Sequence, residues 1–143
     1  MDVVIDGQQA EVGKTITYKS IMVNQVPNLA YVFGYTNAAW TLKADIACEY
    51  ACRLINYMDK HNINIVRPVD GEGCMTDIPA VNLKSGYIMR AVDRIPKQGS
   101  KAPWMVLNNY LVDALVLRYA KIDDGKLQFV KGDASSDKAA ATT

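Results

Sequence analysis

The chain has 143 residues, half of them hydrophobic, with sixteen lysines and arginines against fifteen aspartates and glutamates. That length and composition suit one compact domain with its own core and exclude a chain disordered throughout. A net charge of +1 offers no field to attract nucleic acid or an anionic membrane surface, and no apolar run approaches the ~18–20 residues that span a bilayer.

Residues 1–26 read as short extended pieces around turns. Val3-Val4-Ile5 precedes Asp6-Gly7, a pair that suits a hairpin because glycine tolerates positive φ. Val12-Gly13-Lys14 precedes the alternating Thr15-Ile16-Thr17-Tyr18. After Pro27-Asn28, the uncharged run Leu29-Ala30-Tyr31-Val32-Phe33 predicts a strand buried on both faces, as in a mostly parallel sheet. Gly34-Tyr35-Thr36-Asn37 punctuates it. From Ala38 to Lys60 the period becomes helical: Ala47, Tyr50, Ala51, Leu54, Ile55 and Met58 fall three or four apart on one stripe. Thr36 or Asn37 can supply the N-cap oxygen, Glu49–Arg53 makes a favourable i,i+4 pair, and His61-Asn62 ends the helix.

Ile63–Val66 reads as a short strand stopped by Pro68, and Asp70–Gly73 as a loop. Tyr87–Val92 fits a strand or one helical turn, and Pro96–Ala102 a basic loop. Pro103 fits the first position of a second helix, with Trp104, Leu107, Tyr110, Leu111 and Ala114 on one side. Leu115–Ile122 and Lys126–Val130, joined by Asp123-Asp124-Gly125, predict a hairpin, and residues 132–143 a disordered tail. The expected class is α/β (mixed α+β as an isolated unit), with one unit over residues 1–131. Neither an internal repeat nor an interdomain linker is visible.

Most of the chemistry the chain could carry is excluded by composition. Three cysteines, an odd number at irregular spacing, make no disulfide framework. Cys48 and Cys52 stand i,i+4 on the first helix, but zinc takes four ligands and His61 is the single histidine; the thiols read as core residues, and no metal site is expected. His61 reads as a solvated capping residue rather than a base for a nucleophile. Asp123-Asp124 suits a turn. Neither G-x-G-x-x-G nor G-x-x-x-x-G-K-[ST] occurs, and Arg94, Lys97 and Lys101 read as a solvated basic loop rather than a phosphate site. No catalytic residue is assigned. The acidic opening residues lack a cationic leader, so a cytoplasmic protein is expected.

One constellation is more informative. The expected strand ends at Gly34 and a long helix starts shortly after, at the carboxyl edge of a strand where ligands bind in open α/β sheets. Unpaired N–H groups and the helix dipole favour negative charge there, from a phosphate, a carboxylate or the carbonyl side of a flavin ring. Trp40 suits packing and ligand contact equally.

The same residues carry a resemblance. Val26-Pro27-Asn28-Leu29-Ala30-Tyr31-Val32-Phe33-Gly34-Tyr35-Thr36-Asn37-Ala38-Ala39-Trp40-Thr41-Leu42-Lys43-Ala44-Asp45 resembles the C-terminal part of flavin-containing monooxygenases, in particular their Baeyer–Villiger group. Pro96-Lys97-Gln98-Gly99-Ser100, Pro103-Trp104, Asn109-Tyr110-Leu111 and Lys121-Ile122-Asp123-Asp124-Gly125 recur there in the same order, so the likeness runs from about Thr17 to Phe129. The resemblance implies a C-terminal piece of a flavoprotein with two dinucleotide-binding domains, using FAD and NADPH to transfer one oxygen atom of O₂ to a small organic substrate. It places Gly34, Tyr35, Thr36, Asn37, Ala38 and Ala39 beside the isoalloxazine, with Trp40 and Thr41 supporting; where relatives often carry serine, this chain has Ala39. The glycine fingerprint and the NADPH-binding domain would lie upstream, in cis or on a separate chain, and the chain reads as the final third of a longer enzyme, not catalytic alone. The alternative is a free-standing, non-enzymatic small-ligand or interaction module.

Overall fold

The computed structural model describes residues 3–81 and 90–131. Asp6 and Gly7, at φ 49° and 80°, close the expected first hairpin, in which β1 (Val3–Ile5) pairs antiparallel with β2 (Gln8–Ala10). A second hairpin pairs β3 (Thr17–Tyr18) with β4 (Met22–Val23), and its turn holds Lys19 and Ser20 in the left-handed region, at φ 50° and 57°. Two consecutive non-glycine residues there are strained and must be held by their surroundings. Lys19 supplies the hold: its side chain is 4% exposed, its ammonium stands 4.8 Å from the Tyr18 ring centre and 5.0 Å from that of Tyr50, and Nζ lies 3.0 Å from Asp124 Oδ2. Tyr18 donates its hydroxyl to the same carboxylate oxygen at 2.6 Å.

The rest is built round this hairpin. Helix α1 (Trp40–His61) packs on α2 (Tyr110–Tyr119), and both face Tyr18, Ile21, Met22 and the fully buried Trp104, whose ring meets Tyr18 edge-on at 5.4 Å. β5 (Ile65–Pro68) pairs antiparallel with β8 (Leu127–Val130), and β6 (Met75–Pro79) with β7 (Lys97–Gly99). Backbone bonds from Gln25 N to Pro68 O (2.9 Å) and Lys97 N to Thr15 O (2.7 Å) join these pairs to residues flanking the central hairpin, and Lys19 N in its turn donates to Pro103 O (2.8 Å). The class is mixed, with two helices and four two-stranded sheets among the described residues.

Several expectations are corrected. The run Leu29–Phe33 is extended but forms no strand: its residues alternate between half-buried and exposed, and the Tyr31 amide, bonded to Ile21 O at 2.8 Å, ties it to the central hairpin. A strand buried on both faces needs a sheet beside it, and no described segment supplies one. The first helix is capped by Ala39 rather than Thr36 or Asn37, without a side-chain bond, and ends as expected, with Asn62 left-handed at φ 54°. Arg53 does not pair with Glu49. It donates to the carbonyls of Leu117 (2.5 Å) and Ala120 (2.7 Å), while Glu49 is taken by Arg118 through two bonds of 2.6 and 3.0 Å.

Pro103 does not open a helix; it lies in the turn that buries Trp104, and α2 begins at Tyr110 because Asn109 accepts from Leu111 N (3.1 Å) and Val112 N (3.3 Å). Leu115–Tyr119 therefore continues that helix, and β8 pairs with β5 instead of with Leu115–Ile122. Part of the basic loop, Lys97–Gly99, is strand β7; the short strand expected over Ile63–Val66 is β5, which starts at Ile65 and ends at Pro68. Asp123 and Asp124 do form a turn, with Gly125 at φ 76°, but Asp124 is also the counter-ion of Lys19. Residues 87–89 of the Tyr87–Val92 stretch, and the expected tail over 132–143, lie outside the described residues, while Arg90 and Ala91 are helical.

Asp124→Ala leaves a buried ammonium without its partner and is expected to cost ~3 kcal/mol in urea unfolding, whereas replacing Lys19 by Met together with Asp124 by Leu recovers most of that loss.

Candidate functional site

Gly34 and Tyr35 are buried where the extended segment turns toward α1. A Cβ on Gly34 would stand 2.3 Å from Trp40 Cγ and 2.8 Å from Trp40 Cα, so only glycine lets the turn press against the start of the helix. Trp40 also packs on Phe33, with ring centres 4.7 Å apart, yet remains 54% exposed. Tyr35 faces inward. Its hydroxyl donates to Asp113 Oδ2 at 2.8 Å, and the same oxygen accepts from Lys43 Nζ at 2.8 Å. Lys43, with its side chain 3% exposed, also sits 5.4 Å from the Tyr35 ring centre. Burial first, and then the Asp113 carboxylate, push the Tyr35 hydroxyl above the usual phenol range.

The outer side of the turn is fastened to the segment before α2. Asn108, left-handed at φ 52°, donates to Thr36 Oγ1 at 2.7 Å, and Asn37 donates to Asn108 O at 3.2 Å. The turn therefore takes its shape from a stretch some seventy residues further along the chain. Ser20, Tyr31, Phe33, Tyr35, Lys43 and Gln98 line a cavity of about 210 Å³ behind it, with Gly34, Thr36, Asn108 and Asp113 also in the wall. The Tyr31 hydroxyl meets Thr17 Oγ1 at 2.5 Å, and burial pushes its pKa up to about 12.

The eight residues singled out in the sequence divide between two environments. Gly34, Tyr35 and Thr36 join the cavity wall, and Asn37 is tied to Asn108. Ala38, Ala39, Trp40 and Thr41 are exposed at the N-terminus of α1, whose first turn carries neither an acidic residue nor a side-chain cap. Amides left in that state favour a partner with negative charge.

Lys43, Asn108 and Asp113 were missed. A sequence signal for Lys43 exists: a cation at i−3, i−4 and i−7 to the buried Ile46, Ala47 and Tyr50 lies on the inward stripe and needs a counter-ion.

The other candidates have settled partners. Lys101 pairs with Glu72, as does Lys126 at 2.5 Å, and these ammoniums hold the exposed Glu72 carboxyl down to about 2. Lys97 is half-buried in β7, and Arg94 is exposed. His61 is exposed, with Nδ1 2.8 Å from Tyr57 O. Cys48 and Cys52 are exposed on α1, contrary to the core reading, while Cys74 is buried and its thiol pushed up by burial and then by Asp70. Among the described residues no three His, Cys, Asp or Glu side chains stand together as a metal site would need.

This sequence is 50% identical over 128 residues to the probable FAD-binding monooxygenase AlmA of Acinetobacter baylyi, covering 89% of this chain and 26% of that protein. It is 44% identical over 126 residues to the FAD-containing monooxygenase EthA of Mycolicibacterium smegmatis, covering 88% of this chain and 26% of that one. It is 43% identical over 142 residues to the putative FAD-containing monooxygenase MymA of Mycobacterium tuberculosis, covering 99% of this chain and 28% of that protein. In each the match falls on the C-terminal part. Over most of its length the chain is similar to the C-terminal part of FAD-containing monooxygenases. It spans about a quarter of the length of these curated relatives rather than the expected third. No family model and no solved structure matches it.

Two outcomes follow for the site. Asp113→Ala strands the Lys43 ammonium and frees Tyr35, with an expected loss of ~3 kcal/mol in urea unfolding; Lys43→Met combined with Asp113→Asn loses less than Asp113→Ala alone. The second concerns alkali. Tyr31 and Tyr50 are raised from 10.0 to about 12, both chiefly by burial, and Tyr18 and Tyr35 are raised as well. A group raised in the folded state contributes stability that is complete below its unfolded pKa and is lost as pH climbs through the folded one. The urea midpoint should hold up to about pH 10 and fall toward pH 12, with these four phenols still protonated in the folded chain at about pH 11 by phenolate absorbance.

Proposed function

We propose that this chain is the C-terminal part of an FAD- and NADPH-dependent monooxygenase of Baeyer–Villiger or sulfoxidising type, in which the turn over Gly34–Thr41 lies against the flavin. The identity of 43–50% to FAD-containing monooxygenases over most of the chain is the observation that carries this reading. FAD, reduced by NADPH, would supply the oxygen-transfer chemistry to a small organic substrate.

The residues present fit one edge of that cofactor. The open amides at the start of α1 suit the N1–C2=O edge of a flavin ring, which becomes negative on reduction; Thr36, Asn37, Ala38, Ala39, Trp40 and Thr41 are the exposed residues there. Tyr35, held by Asp113, and Gly34, pressed on Trp40, fix that edge in place. Asn108 restrains Thr36 and Asn37. The pyrophosphate of FAD has no glycine fingerprint in this chain, so it would be held by upstream domains, in cis or as a separate chain. No described residue cluster fits NADPH: Lys101 is already paired with Glu72, and no step is assigned to the basic loop. On this reading the isolated chain is not catalytic and the protein works in the cytoplasm. No described helix is long and apolar enough to cross a membrane.

The test is FAD binding followed by flavin fluorescence. The isolated chain should not retain FAD, whereas the same chain joined to the N-terminal part of the Acinetobacter baylyi relative should. In that joined protein Gly34→Ala should lower flavin affinity at least tenfold, since the added Cβ displaces Trp40 and the helix start. Tight FAD binding by the isolated chain would overturn its dependence on upstream domains.

A further inference from the structure

The apolar surface of α1 is wider than the stripe that the chain buries. Ile46, Ala47, Tyr50 and Leu54 face the core. Beside them, at helical spacing, run Thr41, Ala44, Cys48, Ala51, Cys52 and Ile55, a second stripe without a charge from Thr41 to Ile55. Thr41, Cys48, Cys52 and Ile55 are exposed, Ile55 at 56%. Apart from the inward Lys43, the charges in the body of the helix, Asp45, Glu49 and Arg53, lie toward α2, where the first two meet Arg118 and Arg53 meets the Leu117 carbonyl. A helix apolar over more than half its circumference is one that is covered on two sides.

The second stripe does not end at the helix. Ala51, Leu54, Ile55 and Met58 form one wall of an apolar groove of about 170 Å³ whose other wall includes Leu29 and Ala30 of the extended segment. That segment alternates half-buried and exposed residues and is bonded to the central hairpin through Tyr31. Small side chains at Ala44, Cys48, Ala51 and Cys52 let another backbone come close to the helix and the groove beside it. The proteins that this chain matches extend for roughly three quarters of their length beyond the matched part, which is ample polypeptide for one further layer.

We propose that the Thr41–Ile55 stripe of α1, together with the 29–33 segment, is the face on which the N-terminal region of an FAD-containing monooxygenase docks, burying Cys48 and Cys52. This rests on the proposed function and names the surface it uses.

The two cysteines are built-in reporters, with the buried Cys74 as the internal check that the chain is folded. N-ethylmaleimide labelling is read peptide by peptide in the isolated chain and in the chain joined to the N-terminal part of the Acinetobacter baylyi relative, while retained FAD is measured in parallel. The expected result is fast labelling of both thiols in the isolated chain and a drop of at least tenfold in the joined, FAD-containing protein. Retained FAD with labelling unchanged overturns the assigned face and leaves the proposed function standing. No retained FAD means that the functional reading fails, and this inference falls with it. Protection already present in the isolated chain, running as a dimer on gel filtration, also overturns it, because the face then belongs to a second copy. Ala51→Glu gives an independent check: the isolated chain should keep its circular dichroism, and the joined protein should lose its FAD. FAD retained by that variant overturns the proposal.

Discussion

The arrangement turns on a single carboxylate. Asp124 receives the Tyr18 hydroxyl and neutralises the Lys19 ammonium, and through them it holds a hairpin turn in a conformation that L-residues avoid. Burying an ammonium is costly, and the cost is offset here by the ion pair and by two aromatic faces, Tyr18 and Tyr50. Because Tyr50 stands on α1 and Asp124 precedes β8, the same contact sets the helix against the central hairpin and brings the end of the chain back to its beginning. Lys19 is held below the usual lysine range by burial, which Asp124 opposes.

A second carboxylate repeats the device at the candidate site. Asp113 gathers Tyr35 from the turn and Lys43 from α1 onto one oxygen. Both clusters solve the same problem: short strands and two helices leave little continuous sheet to impose shape, so buried, charge-assisted hydrogen bonds between distant segments impose it instead. The turn that the functional reading assigns to the flavin is thereby rigid on the inside and open on the outside.

What the sequence makes legible follows the range of the forces involved. Helix α1 announces itself through the spacing of Ala47, Tyr50 and Leu54, and the first hairpin through Asp6-Gly7, because both signals are local. The start of α2 was misplaced because Pro103 gives as good a local signal as Asn109, and the burial of Trp104 decides between them. Asn37 failed as a cap since Asn108 engages its amide, and Glu49 left Arg53 for the bidentate Arg118 on α2. The 29–33 run is apolar enough for a buried strand, but what would pair with it is not among the described residues. The segment from Gly34 to Thr41 stands out in the sequence by its motif, whereas Lys43, Asn108 and Asp113, which shape it, are joined only in three dimensions.

The Tyr18–Asp124 bond closes a loop of 106 positions. During synthesis the strained Lys19–Ser20 turn emerges from the ribosome long before the carboxylate that steadies it. Until then its lysine remains in water and its backbone is free to leave the left-handed region. Consolidation of the central hairpin is therefore postponed until Asp124 has been made, and it carries the loop-closure cost of so distant a contact. A nascent chain stalled before Asp124 would offer its aromatic residues to chaperones rather than to one another.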